Sequence, residues 1–166
     1  PKSLLRHPQS VSSLDEFATA GFQTVIVDQA KNAGRSADRI VLCSGKIYFD
    51  LDKRRRALDR EELPIIRIEQ LYPFPEQALK TALSRYAPQA RLVWVQEEPE
   101  NMGAWWYLNQ KFTKMFGDCR LSVVARQEAA SPATGSATRH REQQEQLLER
   151  AFKPCPVEQA DSTETG

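Results

Sequence analysis

Apolar residues fall in two rhythms along this chain. Some form short continuous runs, and others recur every third or fourth position between polar neighbours. Ser13-Leu-Asp-Glu16 has the form of a capping box with Phe17 just inside, so a short helix is expected there, closed by Gly21. Phe22-Gln-Thr-Val-Ile-Val27 reads as a strand, and Gln29 to Asp38, with Asn32, Gly34 and Ser36, as a turn-rich connection. Ile40-Val-Leu-Cys43 is a continuous apolar run, the signature of a strand covered on both faces. Ser44-Gly45-Lys46 leads into a segment able to be helical to about Glu62, and Pro64 to Ile68 is strand-like. After the rigid Tyr72-Pro-Phe-Pro75, residues Ala78, Leu79, Ala82, Leu83 and Tyr86 recur at helical spacing, with Pro75 near the first helical position.

The second half repeats the alternation. Arg91 to Val95 is a strand, followed by Gln96-Glu-Glu-Pro99 and a loop to Gly103. Trp105, Leu108, Phe112, Met115 and Phe116 share one helical face, Leu121 to Ala125 is a strand, and Ala129 to Gly135 is a small-residue loop. A polar helix from about Thr138 to Phe152 carries Leu147, Leu148, Ala151 and Phe152. Beyond Lys153 the Pro-rich and acidic residues predict a disordered tail. The organisation expected is a linker with a short helix and first strand over 1–35, an α/β body over 36–152, and a tail over 153–166. Strands separated by helix-length segments predict an α/β three-layer sandwich around a mostly parallel sheet. Ligands in such sheets sit beyond the carboxyl ends of the strands. That edge is expected to present Ser44 to Lys46, Gln70 to Pro73, and Gln96 to Met102.

Composition narrows the function classes. The 166 residues carry 23 Lys plus Arg and 22 Asp plus Glu, and 23 − 22 leaves a net charge of +1, without the basic excess of a nucleic-acid-binding domain. At 40% hydrophobic the chain can build a core, and no apolar run approaches the roughly 20 residues of a membrane span. Cys43, Cys119 and Cys155 are far apart, with no Cys-x-x-Cys pair and only His7 and His140 to join them, so neither a zinc site nor a disulfide scaffold is expected. The first residue is Pro1 rather than Met and no signal peptide is visible, which leads us to expect a fragment or processed product.

Catalytic and cofactor motifs fail when tested. The seven glycines permit no Gly-x-Gly-x-x-Gly, and Gly45-Lys46 is followed by Ile47 where a P-loop needs Ser or Thr. Gly-x-Ser-x-Gly and His-Glu-x-x-His are missing. Lys53-Arg-Arg-Arg56, surrounded by acidic residues, reads as a solvated helix face, and His140 as solvated. Glu97-Glu98 fits an acid/base pair or, more simply, a cap or subunit contact. Trp105-Trp106-Tyr107 cannot all face one core, because neighbours on a helix differ by about 100°. One ring is therefore expected to be left partly exposed, which fits either a contact surface or core packing alone; on the first reading Trp105 and Trp106, with Glu97 and Glu98, are candidate interface residues.

Taken in order, Pro1-Lys-Ser-Leu-Leu-Arg-His-Pro8, Cys43-Ser-Gly-Lys46, Arg67 to Pro75, Gln96-Glu-Glu-Pro99 with Gly103-Ala-Trp105, and Ala130-Ser-Pro-Ala-Thr-Gly135 closely resemble the C-terminal domain of the 2-oxoglutarate dehydrogenase first component. The resemblance implies a transketolase C-terminal-like domain with a mostly parallel five-stranded sheet and one antiparallel strand. It further implies a parent enzyme that decarboxylates 2-oxoglutarate and passes the succinyl group to a lipoyl-bearing succinyltransferase, with thiamine diphosphate and Mg²⁺ as cofactors. The family's Gly-Asp-Gly and Asn pair for diphosphate and metal have no match here beyond Gly117-Asp118-Cys119, so those cofactors are expected upstream. Catalytic, cofactor-binding and metal-ligating residues are expected to be absent from this stretch. The partners implied are the rest of the polypeptide, a homodimer mate, the dihydrolipoyl succinyltransferase core and an acyl-coenzyme A or nucleotide effector, with neither nucleic acid nor membrane. The compartment implied is cytoplasm or mitochondrial matrix. Two other classes stay open from the residues alone: a stand-alone α/β binding module, and a metal-free hydrolase using Glu97 or Glu98.

The effector expectation attaches to Ser44, Gly45 and Lys46, where a glycine at a strand end, a following helix start and a mobile cation suit a phosphate. Arg39 opens the same strand. An extended strand of that length spans about 23 Å, so Arg39 shares a ligand with Lys46 only if the ligand is long.

Overall fold

A computed structural model describes residues 2–27, 37–117 and 121–153. Five strands form one sheet: β1 (Val25–Ile26), β2 (Arg39–Cys43), β3 (Ile65–Ile68), β4 (Arg91–Pro99) and β5 (Leu121–Arg126), in the order β1-β3-β2-β4-β5. β2 pairs in parallel with β3 and β4, and β4 in parallel with β5, while β1 lies antiparallel to β3. The helices are α1 (Leu14–Thr19), α2 (Ile47–Ala57), α3 (Glu76–Leu83), α4 (Trp105–Phe116) and α5 (Ala137–Phe152). This is the expected architecture, a mostly parallel five-stranded sheet with one antiparallel strand and helices on both sides.

Strand β2 shows why. Every one of its residues is buried, and successive side chains turn to opposite faces. Val41 and Cys43 join Ile47 and Leu51 of α2 and Leu147, Leu148, Ala151 and Phe152 of α5 in one core. Ile40 and Leu42 join Leu79 and Ala82 of α3 and Trp105, Leu108 and Phe112 of α4 in the other. The chain leaves β2 toward β3 on one side and then crosses to β4 on the other. That reversal puts α2 and α3 on opposite faces.

Several boundaries differ from expectation. The strand expected over Phe22–Val27 pairs only at Val25 and Ile26, because Phe22 points into solvent and the partner β3 is itself short. Helix α2 stops at Ala57, since Asp59 adopts φ 51° and Arg60 N–H folds back to the Arg55 carbonyl. Strand β4 does not end at Val95 but continues to Pro99, where it regains β5 opposite Arg126 after a register irregularity. The basic run is not simply solvated. Arg55 is buried, donating to Asp52 Oδ1 at 2.6 Å and to the Leu63 carbonyl at 3.1 Å, while Arg56 lies 2.8 Å from the other Asp52 oxygen. His140 is also held, its Nδ1 lying 3.2 Å from Arg126 NH1. The connection at 28–36, the residues Cys119 and Cys155, and the tail from 154 lie outside the described residues.

Candidate functional site at the carboxyl edge of the sheet

The three stretches expected at the carboxyl edge meet there. A crevice of about 610 Å³ is lined by Ser44 to Ile47 after β2, by Leu71 and Tyr72 after β3, and by the end of β4 with Gly103, Ala104 and Tyr107. It sits between β2 and β4, the point where the strand order reverses.

Its rigid part is a side chain the sequence reading passed over. Gln96 is buried, and its Oε1 accepts from Trp94 Nε1 at 2.9 Å and from the Trp105 backbone N–H at 3.1 Å. Its Nε2 donates to the carbonyls of Met102 at 2.7 Å and Pro99 at 3.0 Å. One amide therefore ties the β4 end, the following turn and the first turn of α4 together. Gly103 completes the knot with φ +69° and a position where any Cβ would stand 3.0 Å from both Gln96 amide heteroatoms. The one sequence signal is a glutamine two positions after Trp94, which puts the two side chains on the same face if the strand continues.

The charged residues are already paired. Lys46 Nζ lies 2.9 Å from Glu97 Oε1, and Gln144 Nε2 of α5 donates to that same oxygen at 3.3 Å and to Asp50 Oδ2 at 2.9 Å. The Gly45 backbone N–H, freed by φ +69°, donates to Glu69 Oε1 at 3.3 Å, and Glu69 is held by Arg67 at 2.8 Å. The two groups on which the phosphate expectation rests, the Lys46 cation and the Gly45 N–H, are thus each engaged by a carboxylate of the protein. Glu97 and Glu98 alternate across β4, the first paired and the second exposed, so their carboxylates do not face each other. Arg39 is at the opposite end of β2, buried, donating to the Ala151 carbonyl at 3.4 Å and facing Asp38 at 3.7 Å. It is not brought together with Lys46; its cation steadies the carboxyl-terminal end of α5.

The tryptophans divide as helix geometry requires. Trp105 is 7% exposed and belongs to the core, whereas Trp106 is 59% exposed. The interface candidacy of Trp105 therefore passes to Trp106 alone. Tyr72 is also exposed, beside a cis Tyr72–Pro73 bond, and Tyr107 fixes this wall by donating its hydroxyl to the Leu71 carbonyl at 2.9 Å. Among the described residues no group of three or more His, Cys, Asp or Glu side chains is placed to hold a metal ion. In the sequence, the nearest approach to a Gly-Asp-Gly motif is Gly117-Asp118-Cys119.

Comparison with known proteins gives this architecture its relatives. The chain is 47% identical over 153 residues to the 2-oxoglutarate dehydrogenase E1 component of Haemophilus influenzae, and 43% identical over 157 residues to that of Azotobacter vinelandii. In each case the match takes in 92% of this chain and 16% of the relative. The 2-oxoadipate dehydrogenase complex component E1 of Xenopus laevis is 42% identical over 150 residues, 89% of this chain and 16% of that protein. The chain thus spans about one sixth of the length of these relatives. The model of the 2-oxoglutarate dehydrogenase C-terminal family matches residues 11–152, and with that span, covering every strand and helix from α1 to α5, the chain belongs to this family.

Proposed function

We propose that this chain is the C-terminal, non-catalytic assembly domain of a thiamine-diphosphate-dependent 2-oxoglutarate dehydrogenase first component. The observation that carries the reading is the family match over residues 11–152, set against the one sixth of each relative that the chain spans. The whole enzyme would decarboxylate 2-oxoglutarate and pass the succinyl group to a lipoyl-bearing succinyltransferase core. Thiamine diphosphate supplies an electron sink for such a decarboxylation. It would be held with Mg²⁺ by other parts of the polypeptide, and no step is assigned to residues of this chain. A soluble enzyme of this kind fits the cytoplasm or the mitochondrial matrix, and no helix here is long and apolar enough to cross a membrane among the described residues.

The surface supports an assembly role. Tyr72 stands exposed at the crevice, Trp106 on the first turn of α4, and Leu5, Val11, Leu14, Phe17 and Phe22 along the N-terminal arm. Large apolar side chains in such numbers mark a surface that is covered in the assembled protein. In this reading the rest of the polypeptide and a homodimer mate cover them. An effector such as an acyl-coenzyme A or a nucleotide, entering beside Ser44, Gly45 and Lys46, would have to exchange with the Glu97 and Glu69 carboxylates.

Trp106→Glu in the full-length polypeptide tests the reading. Sedimentation velocity should show a weakened dimer, with decarboxylase activity falling in parallel, while the melting transition of this domain is nearly unmoved. An unchanged dimer and unchanged activity would remove Trp106 from the interface, and a large loss of domain stability would place it in the core.

A further inference from the structure

Helix α5 begins with the wrong charges for its end. The amino end of a helix carries partial positive charge and backbone N–H groups without intrahelical acceptors, so carboxylates favour its first turn. The 16-residue α5 has none there, and its opening reads Ala137-Thr-Arg-His-Arg141. Ser136 satisfies one N–H, that of Arg139, at 3.4 Å.

The loop before it is built rather than loose. Asn101 clamps the Ala129 backbone from both sides, donating to its carbonyl at 3.0 Å and accepting its N–H at 3.2 Å. Ser131 Oγ donates to the Ala133 carbonyl at 2.8 Å. Between this loop, the start of α5 and the end of β5 lies a cavity of about 270 Å³. Arg126 and Arg139 line it, with the hydroxyl-bearing Ser131, Thr134 and Ser136, and no Asp or Glu does among the described residues.

The buried polar groups point to a missing partner. Arg126 is only 8% exposed, and two of its nitrogens are engaged, NH1 by His140 Nδ1 and NH2 by Gln144 Oε1 at 2.9 Å. Its Nε and the Thr134 hydroxyl oxygen are buried without hydrogen-bond partners. Groups of this kind normally have them, and a buried cation with a free donor beside a positive helix end is costly unless an anion answers both. The cavity is much larger than the roughly 10–15 Å³ a water requires and below the roughly 300–1,000 Å³ of larger ligand sites, the scale of a small phosphate ester. We propose that this cavity binds the phosphate group of a small ligand, with Arg126, Arg139, Thr134 and the α5 amino end as its recognition elements.

The proposal does not rest on the assembly reading, and it concerns a site separate from the Lys46 crevice. Isothermal titration of inorganic phosphate and of glycerol 3-phosphate into this chain, at ionic strength held constant with sodium chloride, tests it. One site of millimolar affinity is expected. Arg139→Gln, an exposed position that does not threaten the fold, should weaken it by about tenfold, as loss of a charge-assisted contact does. Thr134→Val should weaken it less, and Lys53→Gln, an exposed charge-matched control on α2, should not change it. Absence of binding overturns the proposal, as does equal binding by wild type and Arg139→Gln or equal weakening by Lys53→Gln, since either of the last two means an adventitious ion only. The longer polypeptide gives the final arm. If it fails to bind phosphate where this chain binds, a carboxylate from elsewhere in the protein fills the cavity, and the site is not one for a ligand.

Discussion

Gly103→Ala should destabilise the domain by about 2–4 kcal/mol, from two sources that can be separated. A side chain in the left-handed region costs about 1–2 kcal/mol for any residue with a Cβ. The added methyl would also stand 3.0 Å from Gln96 Nε2 and Oε1, a contact so tight that the amide must give by a few tenths of an ångström. Gln96 cannot move aside freely, because its amide serves Trp94, Trp105, Pro99 and Met102 at once. Misaligning one or two of those bonds adds about 1 kcal/mol each. Gly45→Ala is the control. Its φ is also +69°, yet a Cβ there meets nothing within 4 Å, so it should show the backbone cost alone. Urea titrations of the two variants, followed by tryptophan fluorescence, give the comparison, with unchanged slopes confirming that only stability moved. Equal losses in the two variants, or a loss below about 1 kcal/mol for Gly103→Ala, would refute the reasoning, because the Gln96 knot would then be contributing nothing.

Other expectations follow from the same contacts. Asp52→Ala removes the buried carboxylate that meets both Arg55 and Arg56 and should cost about 3–5 kcal/mol in chemical denaturation, whereas adding Arg55→Met to it should recover part of the loss. If the crevice takes an acyl-coenzyme A, Lys46→Ala in the full-length polypeptide should weaken acetyl-coenzyme A binding about tenfold, or about 1.4 kcal/mol, by calorimetry. Affinities that match in the two proteins would take Lys46 off the list of ligands. Phe112→Ala removes a ring buried against Phe74 and should lower stability by about 3–5 kcal/mol, checked by the same urea titration.

The parts of the fold written in periodicity were legible. Ile40 to Cys43 announced a strand covered twice, and Leu147, Leu148, Ala151 and Phe152 marked the buried stripe of α5. The meeting of Ser44, Tyr72 and Gln96 at one edge followed from the general behaviour of parallel sheets. What escaped was pairing between distant side chains. From sequence Lys46 reads as a free cation, because its partner Glu97 lies on β4 beyond Val95, where the apolar run stops. The length of β4 was hidden because Gln96, Glu97 and Glu98 are polar, and polarity reads as loop unless one knows that Gln96 has four partners. Arg55 was unreadable for a similar reason, since only the helix register shows which of three consecutive arginines turns inward.

The position of Cys43 has a kinetic consequence. Its thiol has 0% exposure in the central strand, with helical layers above and below. Fraying of a sheet edge does not uncover it, because β2 is flanked on one side by β3 and on the other by β4. A small alkylating reagent must wait for the packing around the end of β2 to open, so its rate of attack measures the population of molecules opened there. For an ordinary domain stability of about 5–10 kcal/mol, modification should be slower than that of a free thiol by roughly four to seven powers of ten. Mass spectrometry that follows the Cys43 peptide separately from those of Cys119 and Cys155 would turn this residue into a stopwatch for opening, readable in dilute, undenatured protein.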